Sequence, residues 1–480
     1  MTQNATNYLL KNSDFKYDEN EIFKNDFLDR KVIIENLSNL IWSATQSFVI
    51  SIESPWGTGK TVFVKLWKQY LEKKNTPCIY FNAWENDFVS DPIIPFISTL
   101  DEYVKNEIKN IDDSKIKNSL DKAKHLGAYI AKKSLPVILK IGTQGLLNVD
   151  TEEVKKILSD EQLKEIPGLM SDIAEDAIEE FSKKKNSINE LKKKIKEISG
   201  ELVSENNKKP PLVIFIDELD RCRPDFALLL LERLKHIFSV DGVVFVISVD
   251  RKQLESSVKA IYGGEIDACG YLLRFIDYRF KLPNGKIENY SIQLFYKYSI
   301  PELIQKRRTT NSNYDQNYFI ECINLIVKVF KLSLRELEKI FTEFNLLLRI
   351  LKPETVVLPG AIFFLLSVKI KDFQFFEKLI EKQISIDKIE KKMEELEVTL
   401  NKNEKDQFHQ LQGLFVRFIS TDVSGESILD IPNKYKKIDG DNTGNWSYNS
   451  GFNIDIHKMW NIVAVINEYL SKISLIKEFN

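Results

Sequence analysis

With 480 residues, 43% of them apolar, the chain has material for two to three domains of ordinary size with packed cores. Its 68 basic and 70 acidic side chains nearly cancel, which excludes the global charge excess that draws a protein to nucleic acid or to an anionic membrane and leaves only a local patch for such a role. The four cysteines, Cys78, Cys222, Cys269 and Cys322, show neither CxxC nor Cys/His spacing and read as reduced thiols of a cytosolic protein.

The N-terminus lacks a basic region followed by an apolar one, so no secretory signal is expected. Residues 46–53 form a β-branched and aromatic run leading into a glycine-containing turn. After it, Phe63, Leu66, Trp67, Tyr70 and Leu71 recur at the spacing of an amphipathic helix. A second short strand, Cys78 to Asn82, completes a βαβ unit, and such units form parallel sheets that bind ligands at the carboxyl ends of their strands. From about Thr99 to Lys209 the sequence turns charged and helix-forming, an inserted helical region with room for a coiled-coil arm. Its lysine run, Lys183 to Lys196, reads first as a solvated helix face and second as a nucleic-acid contact.

Strand-like sequence returns at Leu212 to Ile216 and at Val243 to Val249, around a helix near Phe226 to Phe238. Beyond Pro283 the chain reads as helical, apart from a polar loop at Asp439 to Gly451 that precedes a last amphipathic helix. Two apolar runs, Ser134 to Val149 and Thr355 to Val368, fall short of the roughly 20 residues needed to span a bilayer and read as buried helices. The expected division is 1–101 for the first half of an α/β core, 102–209 for the insertion, 210–283 for the second half, and 284–480 for a helical lid.

Chemistry concentrates in three places. Ser54, Pro55, Trp56, Gly57, Thr58, Gly59, Lys60, Thr61 and Val62 stand between strand and helix as a phosphate-cradling loop, with the glycines where backbone must approach phosphate closely. Lys60 would bridge the β- and γ-phosphates of ATP, and Thr61 would place its hydroxyl on Mg2+. Ser54 occupies the usual position of the first glycine. Second, Asp217 and Glu218 follow the strand Leu212 to Ile216, Asp217 as a magnesium-side carboxylate and Glu218 as the base that activates water. Third, Ser248 and Asp250 end the next strand, where Asp250 is either a sensor of the γ-phosphate or the N-cap of the following helix. Arg221, Arg223, Arg274 and Arg335 are candidates for stabilising phosphoryl charge, each with a surface ion pair as the alternative. Trp56, Trp84 and Phe81 read as packing residues of the loop rather than base-stacking ones. The four histidines have no ligand spacing, so no metal beyond nucleotide-bound magnesium is expected.

The combination of Ser54-Pro-Trp-Gly-Thr-Gly-Lys-Thr61, Phe81-Asn-Ala-Trp84, Phe215-Ile-Asp-Glu-Leu-Asp-Arg-Cys222 and Val246-Ile-Ser-Val-Asp-Arg251 resembles the KAP family of P-loop NTPases. The resemblance implies an ASCE-type α/β parallel-sheet core with a helical insertion and a C-terminal all-helical lid. It matches Arg335, in Ser333-Leu-Arg335-Glu-Leu, to a sensor-like arginine, and Ala361 to Leu379 to a following helix. Ser333 with Glu336 independently spells a capping box. Asp29 and Arg30 lie where such proteins pack near the adenine, with a surface pair as the alternative. Family members with transmembrane insertions differ from this chain, so no membrane role is carried over. The resemblance implies Mg-dependent ATP hydrolysis driving conformational change or assembly, with itself or with an effector, and a place in antiphage defence; a motor on phage or plasmid DNA is the competing reading.

Overall fold

A computed structural model describes residues 22–24, 26–107, 114–132, 167–205, 208–285, 287–307, 316–355, 357–420, 445–447, 453–455 and 460–477. They divide into two units, one through Arg30–Pro283 with the residues just before Phe27, the other through Asn284–Asn480 with Phe27–Asp29. The first unit contains α1 (Lys31–Trp42), β1 (Phe48–Glu53), α2 (Lys60–Lys73), β2 (Cys78–Asn82), α3 (Ile93–Glu107), α4 (Ser114–Lys132), α5 (Pro167–Glu205) and β3 (Leu212–Asp217). It continues with α6 (Pro224–Leu234), β4 (Val243–Val249), α7 (Arg251–Tyr262), α8 (Ala268–Leu272) and β5 (Tyr278–Lys281).

The five strands form one parallel sheet in the order β2-β3-β4-β1-β5. Every residue of β3 and β4 is buried, which explains their unbroken apolar runs: helices cover a parallel sheet on both faces, so no position faces water. β1 and β2, adjacent strands in the chain, are separated in the sheet by β4 and β3. This order sets the carboxyl ends of β1, β4 and β3 side by side, and the register puts Asn82 at the end of β2 opposite Asp217.

The insertion is bound into this core. Leu191, Ile195, Ile198 and Leu202 make one stripe of α5, and with Leu120, Ala123 and Ile130 of α4 they belong to the same buried cluster as the strands. Two lysines of the run lie on other faces of α5: Lys192 donates to Ser239 Oγ at 3.1 Å, and Lys196 pairs with Asp241 at 2.8 Å. The apolar run Ser134 to Val149 lies outside the described residues. Among those described, no helix is long and apolar enough to cross a membrane.

The second unit holds α9 (Ile287–Lys297), α10 (Ile300–Gln305), α11 (Gln316–Phe330), α12 (Leu334–Ile350), α13 (Pro359–Lys371) and α14 (Phe373–Ile380). α15 (Ile386–Leu396), α16 (Lys402–Ser420) and α17 (Trp460–Lys477) follow. The apolar run ending at Val368 forms α13, buried from Pro359 to Val368 among Phe319, Phe341 and Phe344. The segment Ala361 to Leu379 is two helices rather than one, because Asp372 leaves helical geometry and its carboxylate accepts the Phe375 amide, starting α14. Within the polar segment 439–451, Asn445–Ser447 (β6) pairs antiparallel with Asn453–Asp455 (β7).

Trp67 joins three layers of the first unit. Its indole N–H donates to Ser38 Oγ of α1 at 2.9 Å, and its ring meets Phe215 of β3 edge-on at 5.5 Å. Trp67→Ala is expected to lower stability by about 3–5 kcal/mol in urea unfolding followed by far-UV circular dichroism. A loss under about 1 kcal/mol would mean that the indole does not tie α1 and α2 to the sheet.

Candidate nucleotide site

The site starts where β1 ends. Glu53 is fastened to Arg279 of β5 by paired bonds of 2.7 and 2.9 Å, and the chain then turns through residues 54–59 into α2. Gly57 (φ 77°) and Gly59 (φ 84°) are left-handed, a conformation that costs an L-residue roughly 1–2 kcal/mol. Ser54 needs no such freedom. Thr58 Oγ1 donates to Pro55 O at 2.7 Å, so the Ser54 hydroxyl donates across the loop to Thr58 Oγ1, also at 2.7 Å. The serine in place of glycine is thus an internal brace.

Arg30 braces the loop from behind. It is 2% exposed, donates from Nη2 to Thr58 O at 3.1 Å, and lies over the Phe63 ring at 5.6 Å. Among the described residues its Nε and Nη1 find no hydrogen-bond partner, and burial pulls the guanidinium pKa down to about 10. Arg30 is therefore a buried residue rather than a surface one.

Lys60 opens α2 and is 8% exposed. Its ammonium donates to the carbonyls of Ser54 (2.7 Å) and Pro55 (3.3 Å) and stands 3.9 Å from Asp220 Oδ2. Burial lowers its pKa, and Asp220, Asp250 and Asp217 oppose that shift in that order. Thr61 and Val62 follow in the first turn, where backbone amides and the helix dipole favour an anion.

Carboxylates arrive from two neighbouring strands. Asp217, 1% exposed at the end of β3, accepts the Glu218 amide on Oδ1 at 2.9 Å and the Tyr80 hydroxyl on Oδ2 at 3.0 Å. Burial, then Asp217, raises the Tyr80 pKa and keeps it a donor. Glu218 is itself left-handed (φ 61°, ψ 24°), a non-glycine strain of the kind that collects at functional sites. Its Oε1 lies 3.4 Å from Thr61 Oγ1 and 2.7 Å from Arg221 Nη1, and its Oε2 accepts from Asn82 Nδ2 at 3.3 Å. Arg221 in turn lies over the Trp84 ring at 5.4 Å.

Asp250 plays a double part. Oδ1 accepts the Lys252 amide at 3.1 Å and caps α7, while Oδ2 accepts the Trp56 amide at 3.1 Å. The N-cap alternative thus describes the geometry, with a hold on the loop 54–59 added to it. Ser248, beside it, is wholly buried, and its hydroxyl finds no hydrogen-bond partner among the described residues.

The structure therefore gathers the loop 54–62, Asp217, Glu218 and Asp250. Arg223 is turned to the backbone of Asp87 and Val89, and Arg274 is exposed. Arg335 belongs to the other unit, exposed on the first turn of α12, whose start Ser333 and Glu336 cap reciprocally. Packing describes Phe81, which is buried, but not Trp56 and Trp84, which are 45% and 50% exposed. Both indoles are held by polar partners instead: Trp56 Nε1 donates to Asp220 Oδ2, and Trp84 carries Arg221. Sequence reasoning assigned no role to Tyr80, Asn82 or Asp220. The signal for Tyr80 and Asn82 was alternation along β2, which sends both to the same face beside Asp217.

A parallel sheet in which β4 separates the loop-bearing strand from the carboxylate-bearing one, with a glycine loop entering a helix, defines a P-loop NTPase of the ASCE type. Residues 30–351 match the KAP family P-loop domain, and the chain belongs to that family. An uncharacterised protein of Methanocaldococcus jannaschii is 32% identical over 183 residues, which is 36% of this chain and 89% of that protein. The Aeropyrum pernix ORC2 protein, solved in ADPNP–ADP complexes, aligns over 98% of both chains at 12% identity with a TM-score of 0.35.

Asp250→Ala is expected to remove about 1 kcal/mol of helix capping and to free the Trp56 amide. Hydrogen exchange should quicken at both Lys252 and Trp56. Acceleration at Lys252 alone would detach Asp250 from the loop.

Proposed function

We propose that this KAP-family chain hydrolyses ATP with Mg2+ in the cytoplasm, the loop 54–62 holding the phosphates and Glu218 taking the proton of the attacking water. One observation carries the reading: the Glu218 carboxylate converges on the Thr61 hydroxyl at 3.4 Å, beside the buried Asp217. Magnesium asks for one or two protein oxygens and completes its shell with water and phosphate, and Thr61 with Asp217 is a donor set of that size. When bound, the ion neutralises charge on the β- and γ-phosphates.

Each side chain then has a task. Lys60 leaves the Ser54 and Pro55 carbonyls for phosphate oxygens, and the amides of the loop and of the first turn of α2 take the rest. Arg221 and Asn82 orient Glu218, which accepts a proton as the water oxygen bonds to the γ-phosphorus and the bond to the bridging oxygen of ADP breaks. ATP rather than GTP, Arg335 as a charge stabiliser, and assembly with itself or an effector in phage defence come from the family resemblance. The helical unit would convert turnover into such a change.

Lys60→Ala is expected to abolish nucleotide binding in a titration with a fluorescent ATP analogue. Glu218→Gln should bind ATP and Mg2+ normally while the phosphate-release rate falls by about 100-fold or more. Undiminished turnover in Glu218→Gln would remove Glu218 from the role of base.

A further inference from the structure

We propose that Asp220 is a positioning residue of the phosphate cradle, holding the Trp56 indole and the Lys60 ammonium to the segment that carries Asp217 and Glu218. This rests on the reading of residues 54–62 as the nucleotide cradle.

The local chain geometry places it. The left-handed Glu218 reverses the backbone after β3, and Leu219–Arg221 form a single 3-10 turn closed by the Arg221 amide on Glu218 O at 3.1 Å. Leu219 goes into the core, Arg221 returns to Glu218, and Asp220 is left facing the loop. Asp220 is 6% exposed. A carboxylate so buried costs several kcal/mol unless it is paired. Among the described residues, the contacts that answer that cost are with the cradle: Trp56 Nε1 donates to Oδ2, and Lys60 Nζ stands 3.9 Å from the same oxygen. Oδ1 is buried and meets no donor among the described residues.

The tryptophan is explained by the same contact. Trp56 is 45% exposed, so apolar burial does not account for a large ring in a tight phosphate loop. Residue 56 is gripped at two points by carboxylates from outside the loop, its amide by Asp250 and its indole by Asp220. Asp250 follows β4 and Asp220 follows β3, so the loop is tied to two adjacent strands at once. When Lys60 turns to phosphate, Asp220 keeps Trp56, and the loop holds its shape while its ammonium moves.

The test is a double-mutant cycle in the full-length chain, read by titration with a fluorescent ATP analogue in Mg2+. Trp56→Phe and Asp220→Ala are each expected to weaken binding about tenfold, the worth of a hydrogen bond to a charged group. The double variant should be no weaker than the worse single one, so the two losses are coupled by about tenfold. Asp220→Asn, which keeps the shape and an acceptor for the indole, is expected to restore the tryptophan emission of the nucleotide-free wild type that Asp220→Ala shifts. If Asp220→Ala does not accumulate as folded protein, Asp220→Asn replaces it in the cycle, with an expected coupling of about threefold. Independent losses that multiply to about 100-fold, or single variants that bind as wild type, overturn the proposal. Lys60→Ala run alongside separates the two readings: if it binds normally the cradle itself is misplaced, whereas if it fails to bind while the Asp220 and Trp56 variants bind normally, only the positioning role falls.

Discussion

A buried ammonium is the constraint around which the first unit is arranged. Lys60 is held under the surface at the start of α2, and a charge in that position demands compensation from oxygen atoms close by. The loop supplies two carbonyls, and the strand ends supply Asp217, Asp220 and Asp250. These acids lie 157, 160 and 190 residues beyond Lys60 in the chain, and only the sheet order β3-β4-β1 brings them around its side chain. The same ring of negative charge disfavours a polyphosphate unless cations accompany it, a demand that Lys60 and the magnesium proposed above would meet together.

The strained turn at Glu218 distributes the rest of the chemistry. With φ at 61° the chain leaves β3 in a direction that separates the acidic side chains of Asp217, Glu218 and Asp220. Asp217 remains in the sheet with Tyr80, Glu218 turns to Thr61 and Asn82, and Asp220 turns to Trp56. An extended continuation would have alternated the side chains across the sheet instead. Arg221 closes the arrangement by returning to Glu218 and covering Trp84.

The helical unit has its own core and its own buried charge. Arg307 donates to the carbonyls of Leu348 (3.0 Å), Lys352 and Thr355 (3.2 Å), satisfying the end of α12 and the turn beyond it. Glu343 and Lys369 pair at 2.8 Å between α12 and α13. These are interactions that hold helices in register around an aromatic interior of Phe319, Phe341, Phe344 and Phe363. They leave Arg335 at the surface of its helix.

What the sequence determined by itself was local. Apolar runs at 212–216 and 243–249 marked strands, the glycines at 57 and 59 marked a tight loop between strand and helix, Ser333 and Glu336 spelled a helix start, and Asp217 with Glu218 marked the end of a strand. These depend on neighbours within a few residues, which a linear reading sees. Tertiary structure decided the pairings across the chain: Tyr80 and Asn82 against the acidic pair, Arg30 behind Thr58, and Asp220 under Trp56. Trp56 and Trp84 were misread as packing for the same reason. An indole offers both a large apolar face and one polar hydrogen, and which of them is used depends on where a carboxylate or guanidinium 137 residues or more away comes to rest (Trp84 to Arg221, Trp56 to Asp220).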